Sequence, residues 1–86
     1  MARFEIFFNA TSESMLKKLP KKEVARILTT VGELSSNPYP PGCRKLAGTE
    51  KSYRIRIGHF RVIYEIEHQK LMILVLKIGH RRDVYK

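Results

Sequence analysis

From Tyr53 onward the chain alternates. Tyr53, Ile55 and Ile57 take every second position, with Arg54 and Arg56 between them. After Gly58-His59 the alternation resumes as Phe60, Val62, Tyr64 and Ile66 around Arg61, Ile63 and Glu65. A period of two predicts two half-buried strands. A two-residue loop with glycine first suits a type II′ hairpin turn. His68-Gln69 is expected to turn the chain again. Residues 71–78, apolar apart from Lys77, predict a strand buried on both faces.

The first half has a different rhythm. Arg3-Phe4-Glu5-Ile6-Phe7-Phe8 is aromatic-rich, partly alternating, and predicts a first strand. Asn9-Ala10-Thr11-Ser12 supplies helix-capping residues, and Met15, Leu16 and Leu19 form a short apolar stripe. Pro20 fits the opening turn of a second helix. Val24, Ile27, Leu28, Val31 and Leu34 then recur at helical spacing. Pro38 prevents the helix from continuing, and residues 37–42 (NPYPPG) form a loop by composition. The order is one strand, two helices, then a three-stranded antiparallel meander. That order implies an α+β fold with the helices on one face of an antiparallel sheet, and residues 1–86 as a single domain.

Composition narrows the partners. The 86 residues hold 17 Lys/Arg against 8 Asp/Glu, a net charge of +9. Residues 1–43 carry six basic and four acidic side chains, residues 44–86 eleven and four, so the second half holds +7 of that charge. Such a surface concentrates anionic partners. Cys43 is the sole cysteine, so no intramolecular disulfide forms, which fits a reducing, cytoplasmic setting. No stretch is apolar for long enough to span a membrane, and no membrane partner is expected. Gly48-Thr49-Glu50-Lys51-Ser52 lacks the glycine spacing of a phosphate-binding loop. Three histidines and one cysteine show no metal-ligand spacing, so neither metal nor cofactor is expected.

The hairpin register carries the chemistry. With Gly58-His59 as the loop, Arg56 opposes Arg61 and Arg54 opposes Ile63. Opposed residues share a face, so one face gathers Arg54, Arg56 and Arg61 while the other is apolar. Like charges directly opposed destabilise a sheet. Guanidinium groups stay charged and bind phosphate oxygens in pairs, so the cluster points to a phosphate site for RNA. The tail, Gly79-His80-Arg81-Arg82-Asp83-Val84-Tyr85-Lys86, adds two arginines, a titrating imidazole and an aromatic ring.

Lys45-Leu46-Ala47-Gly48, the run from Tyr53 to Tyr64 and the run from Lys77 to Tyr85 together resemble the RelE/ParE toxin superfamily. So do the Leu19-Pro20 between the helices and the Asn37-Pro38 after them. The similarity runs over nearly the whole chain. It implies a RelE-like fold and the toxin half of a type II toxin-antitoxin system, held inactive by a cognate antitoxin. RelE-like members cleave mRNA in the A site of the 30S ribosomal subunit; ParE-like members instead inhibit DNA gyrase and lack the basic catalytic set. The RelE-like catalytic positions fall by resemblance on Arg54, Arg56, Arg61, Arg81 and Tyr85. That match favours the endoribonuclease, with gyrase inhibition as the alternative. Lys51 and Arg82 join Arg54 and Arg56 as expected RNA contacts. Operator DNA is expected to be met only through the antitoxin.

The expected reaction uses the 2′-hydroxyl of the RNA as nucleophile. Arg61 and Arg81 would stabilise the phosphorane charge, and Arg54 and Arg56 would position the backbone. Tyr85 would stack on a base or move a proton. His80 is the candidate for acid–base work, with His59 behind it. Some family members carry lysines at positions 54 and 56. Arginine does not serve as a base, so the residues leave the proton acceptor open.

Overall fold

A computed structural model describes residues 3–80. The elements are β1 (Glu5–Phe8), α1 (Ala10–Lys18), α2 (Lys21–Glu33), β2 (Arg44–Lys45), β3 (Ser52–Ile57), β4 (Phe60–Glu67) and β5 (Met72–His80). Five strands form one sheet in the order β1-β5-β4-β3-β2. The α+β reading stands, with two corrections to the sheet. β1 pairs with β5 in parallel, so the sheet is mixed and not purely antiparallel. A further strand, β2, extends the meander at its far edge. β1 lies at one end of the chain and β5 at the other, with both helices between them, so no local pattern could signal their pairing.

Local chemistry places the helices. The Asn9 side chain caps α1 by accepting from the backbone N–H of Ser12 at 2.9 Å. Ser12 is fully buried, and its hydroxyl lies 3.0 Å from the Val75 carbonyl of β5 and 3.1 Å from the Asn9 carbonyl. A small polar side chain thus lets α1 approach the sheet closely. Pro20 is the N-cap of α2 and its carbonyl accepts from Glu23 and Val24. Ile27, Val31 and Leu34 turn inward as their spacing predicts, whereas Leu28 sits at the edge of the stripe, 43 % exposed.

The core lies between the helices and one sheet face. Ile55, Ile57, Phe60, Val62, Tyr64, Ile66, Ile73, Val75 and Ile78 supply the sheet's share. The loop after α2 is tied down by Tyr64, whose hydroxyl donates to the Pro38 carbonyl at 2.8 Å. Burial holds that phenol well above its ordinary pKa, so it remains a donor. Tyr39, on the same loop, hydrogen-bonds His68 across 2.6 Å.

The strand over residues 71–78 departs from expectation. Only its helix-facing residues are buried; Met72, Leu74 and Leu76 are half-buried. Both helices cover the same face of the sheet, so the other face stays open, with Phe7 of β1 42 % exposed on it. Leu71 adopts a left-handed φ of 50° and closes the turn before β5.

Candidate functional site

The site is built on the open face of β2, β3 and β4. Their register is as the alternation predicts: Ile57 faces Phe60, Arg56 faces Arg61, Ile55 faces Val62 and Arg54 faces Ile63. Gly58 takes a φ of 61°, as the first loop position of a II′ turn needs. The helices bury the apolar set, and that burial forces the arginines to the other side. A one-residue slip would drive the guanidiniums into the core, so the hydrophobic set fixes where the charges stand.

β2 adds a residue that the sequence pattern does not single out. Arg44 pairs with Arg54 and therefore shares its face. Arg44, Arg54, Arg56 and Arg61, with Gly42 and Ile55, line a cleft of about 400 Å³. Arg54 and Arg61 are half-buried there, Arg44 and Arg56 exposed. A two-residue strand has no alternation to read, and so Arg44 escapes prediction; its only mark is the basic pair it forms with Lys45.

Among the described residues the cleft lining holds four guanidiniums and no carboxylate. Glu65, on the same face of β4, is engaged elsewhere: its carboxylate lies 3.6 Å from Lys51 Nζ, and that of Glu67 lies 3.0 Å from it. The hydrogen bond and charge of Glu67 raise the Lys51 pKa, and Lys51 in turn lowers that of Glu67. Lys51 thus stands with these two carboxylates and outside the cleft lining. A cleft lined by four guanidiniums suits a polyanion such as a phosphodiester backbone.

His80 is the last residue of β5. It pairs with Phe60, not with Arg61, and so lies on the helix-side face, away from the arginines. The cause is a bulge in β5: Ile63 pairs with Lys77 and Tyr64 with Val75, which leaves Leu76 unmatched. One extra residue reverses the facing of everything beyond it. Unbroken alternation from Ile73 and Val75 would have put His80 beside Arg61. Instead its ring stands nearly parallel to that of His59 at the hairpin tip. Arg81, Arg82 and Tyr85 lie outside the described residues.

A second concavity of about 560 Å³ runs between α1 and β5, floored by Met15 and Ile78 and flanked by Lys18 and Lys77. Among the described residues, no group of three His, Cys, Asp or Glu side chains could hold a metal ion. Nor is any described helix long and apolar enough to cross a membrane.

The family model described as the ParE toxin of type II toxin-antitoxin systems matches residues 6–85. The chain is 31 % identical to toxin RelG of Mycobacterium tuberculosis, over 96 % of its own length and 97 % of that protein. It superposes on a chain of the archaeal RelE–RelB complex of Pyrococcus horikoshii with a TM-score of 0.83 and 29 % identity, covering 94 % of this chain and 98 % of that one. The isolated RelE toxin of Escherichia coli shares the fold with a TM-score of 0.78 at 23 % identity, over 98 % of this chain and 92 % of that one.

Proposed function

The chain belongs to the ParE toxin family of type II toxin-antitoxin systems, with RelE-type toxins among its relatives, and from that premise we propose that it acts by cleaving mRNA in the ribosomal A site. The observation that carries this reading is the four-arginine cleft. A toxin working by protein contact alone has no need of guanidiniums opposed at a cost to the sheet.

In this reading an mRNA phosphate lies in the cleft. The 2′-oxygen of the preceding ribose attacks phosphorus and gives up its proton. The bond to the 5′-oxygen breaks, and that oxygen gains a proton, leaving a 2′,3′-cyclic phosphate and a 5′-hydroxyl end. Charge on the non-bridging oxygens rises in the transition state. Arg61 is held half-buried where its charge is least screened, and it stabilises that state. Arg44, Arg54 and Arg56 grip the flanking backbone. Arginine stays protonated, so these residues carry charge and not protons. Arg81 and Tyr85 enter on the family resemblance, Arg81 for phosphate charge and Tyr85 for a base or a proton. Placement of RNA on the 30S subunit would supply the remaining orientation.

A cognate antitoxin is the expected protein partner, and relatives with this fold are found in RelE–RelB complexes. A net charge of +9 calls for an acidic, amphipathic segment on that partner. The half-bare sheet face around Phe7 and Leu74 and the groove beside α1 both offer apolar surface for it.

One observation favours the alternative of gyrase inhibition: the matching family description names ParE. Expression in a bacterial host separates the two. Protein synthesis arrested before DNA replication, with mRNA fragments ending in 5′-hydroxyl groups, supports cleavage. Replication arrested first, with mRNA intact, supports gyrase.

A further inference from the structure

Strand β1 stops short of its neighbour. Its register with β5 runs from Glu5 beside Met72 to Phe8 beside Val75, whereas β5 continues to His80. Asn9 then caps α1, and the chain leaves the sheet. The Val75 carbonyl is still covered, by the Asn9 N–H at 3.1 Å and the Ser12 hydroxyl at 3.0 Å. Past it, no described strand runs beside residues 76–80 on the side away from β4, so that stretch is a sheet edge.

The register settles which backbone groups face that edge. Ile66 donates its N–H to the Lys51 carbonyl on the β3 side, so Phe60, Val62 and Tyr64, at even steps from it, also turn to β3. Arg61 and Ile63 turn to β5, where they meet Gly79 and Lys77. Gly79 and Lys77 are thereby engaged with β4. Ile78 and His80 alternate with them and face the edge.

That edge is one wall of the 560 Å³ concavity whose other wall is α1. Met15 and Ile78 make the notch apolar, and Lys18 and Lys77 flank it. Five residues at about 3.3 Å each leave room for a short added strand. Lysines on an edge oppose pairing with like chains. A second copy of this chain would bring a further net charge of +9, whereas an acidic segment is attracted.

We infer that this notch takes an extended segment of the antitoxin, which joins the sheet along residues 76–80 of β5 where β1 leaves off. The inference rests on the antitoxin reading above and is independent of mRNA cleavage. Backbone hydrogen bonds to Ile78 and His80 supply affinity, and alternate side chains supply fit. Apolar groups meet Met15 and Ile78, and carboxylates meet Lys18 and Lys77.

The test is amide hydrogen exchange, read by NMR, on the toxin alone and bound to the antitoxin encoded beside it. Exchange at Ile78 and His80 is expected to slow about tenfold or more on binding, while Lys77 and Gly79, already bonded to β4, change little. Affinity gives a second reading. Ile78→Pro removes the edge-facing N–H and spares the β4 ladder, whereas Ile78→Ala trims the same side chain and keeps the N–H. The proline variant is expected to bind about 5- to 150-fold more weakly than the alanine variant. Lys18→Glu is expected to weaken binding about 2- to 10-fold, and unchanged affinity would overturn the acidic character assigned to the segment. Proline and alanine variants of equal affinity would overturn the added strand. So would Ile78 and His80 amides that exchange as fast in the complex as in the free toxin, a result that stands even where the proline variant fails to fold. Slowed exchange at Ile6 and Phe8 alone would place the added strand on the outer edge of β1 and overturn the notch. Each of these outcomes leaves the antitoxin reading standing; a wild-type toxin that does not bind that antitoxin would remove both.

Discussion

Arg56 and Arg61 stand directly opposite one another across the β3–β4 pair, one step from the Gly58-His59 turn. The sheet positions two cations where repulsion works against pairing, and the buried set Ile55, Ile57, Phe60 and Val62 holds them there. Arg61→Ala is therefore expected to separate activity from stability. Cleavage should fall about 100- to 1000-fold, the usual cost of removing a group that stabilises transition-state charge. Folding stability should change far less, by no more than about 1 kcal/mol in either direction. Urea unfolding beside a cleavage assay checks both.

Gly58→Ala meets one penalty, the φ of 61°; the Arg26 Nη1 that its Cβ would approach at 2.8 Å is the end of a flexible side chain and swings aside. It should destabilise by about 1–2 kcal/mol through the left-handed backbone alone. Adding Arg26→Ala should recover almost none of that loss, because the cost lies in the backbone, as a double-mutant cycle in urea would show.

Tyr64→Phe removes the hydroxyl that ties the loop after α2 to the core. The Pro38 carbonyl then loses a partner at 2.8 Å, and stability should drop by about 1–3 kcal/mol. Cleavage should be unaffected, because Tyr64 lies on the helix-facing side of the sheet, away from the arginines. Chemical denaturation with a parallel activity assay tests the separation.

The Lys51–Glu67 pair sets a pH window. Glu67 titrates below its ordinary 4.5, chiefly because Lys51 hydrogen-bonds it. Its contribution to stability is present above 4.5 and is lost as pH falls through the lowered value. Lys51 titrates above its ordinary 10.5, chiefly through the Glu67 hydrogen bond, so its contribution is present below 10.5 and is lost as pH rises through the raised value. Lys51 is exposed and Glu67 only partly covered, so solvent screens the pair and the effect is small. Lys51→Met should return the Glu67 titration toward 4.5, measured by NMR of its side-chain carboxyl.

How far the sequence could be read depended on the range of the signal. The hairpin register is local: a two-residue loop and a strict alternation leave one pairing that buries Ile55 with Val62, and the arginine face follows from it. Helix α2 was legible through Ile27, Val31 and Leu34 for the same reason. The parallel partnership of β1 with β5 joins opposite ends of the chain and leaves no local mark. Arg44 was missed because β2 is too short to alternate. The face that His80 takes was not legible, because a continuously apolar strand hides the bulge at Leu76 and one extra residue reverses which face a side chain takes. The apolar run of β5 also overstated its burial, since apolar residues on the open face look the same in sequence as those in the core.

Whether the arginine cleft cleaves ribosome-bound mRNA is decided by adding purified protein to a defined translation reaction and mapping mRNA 5′ ends by primer extension. New 5′ ends are expected that appear only when ribosomes are present and vanish with Arg61→Ala. Intact mRNA under continuing translation, or cutting undiminished by Arg61→Ala, would rule out cleavage by this cleft.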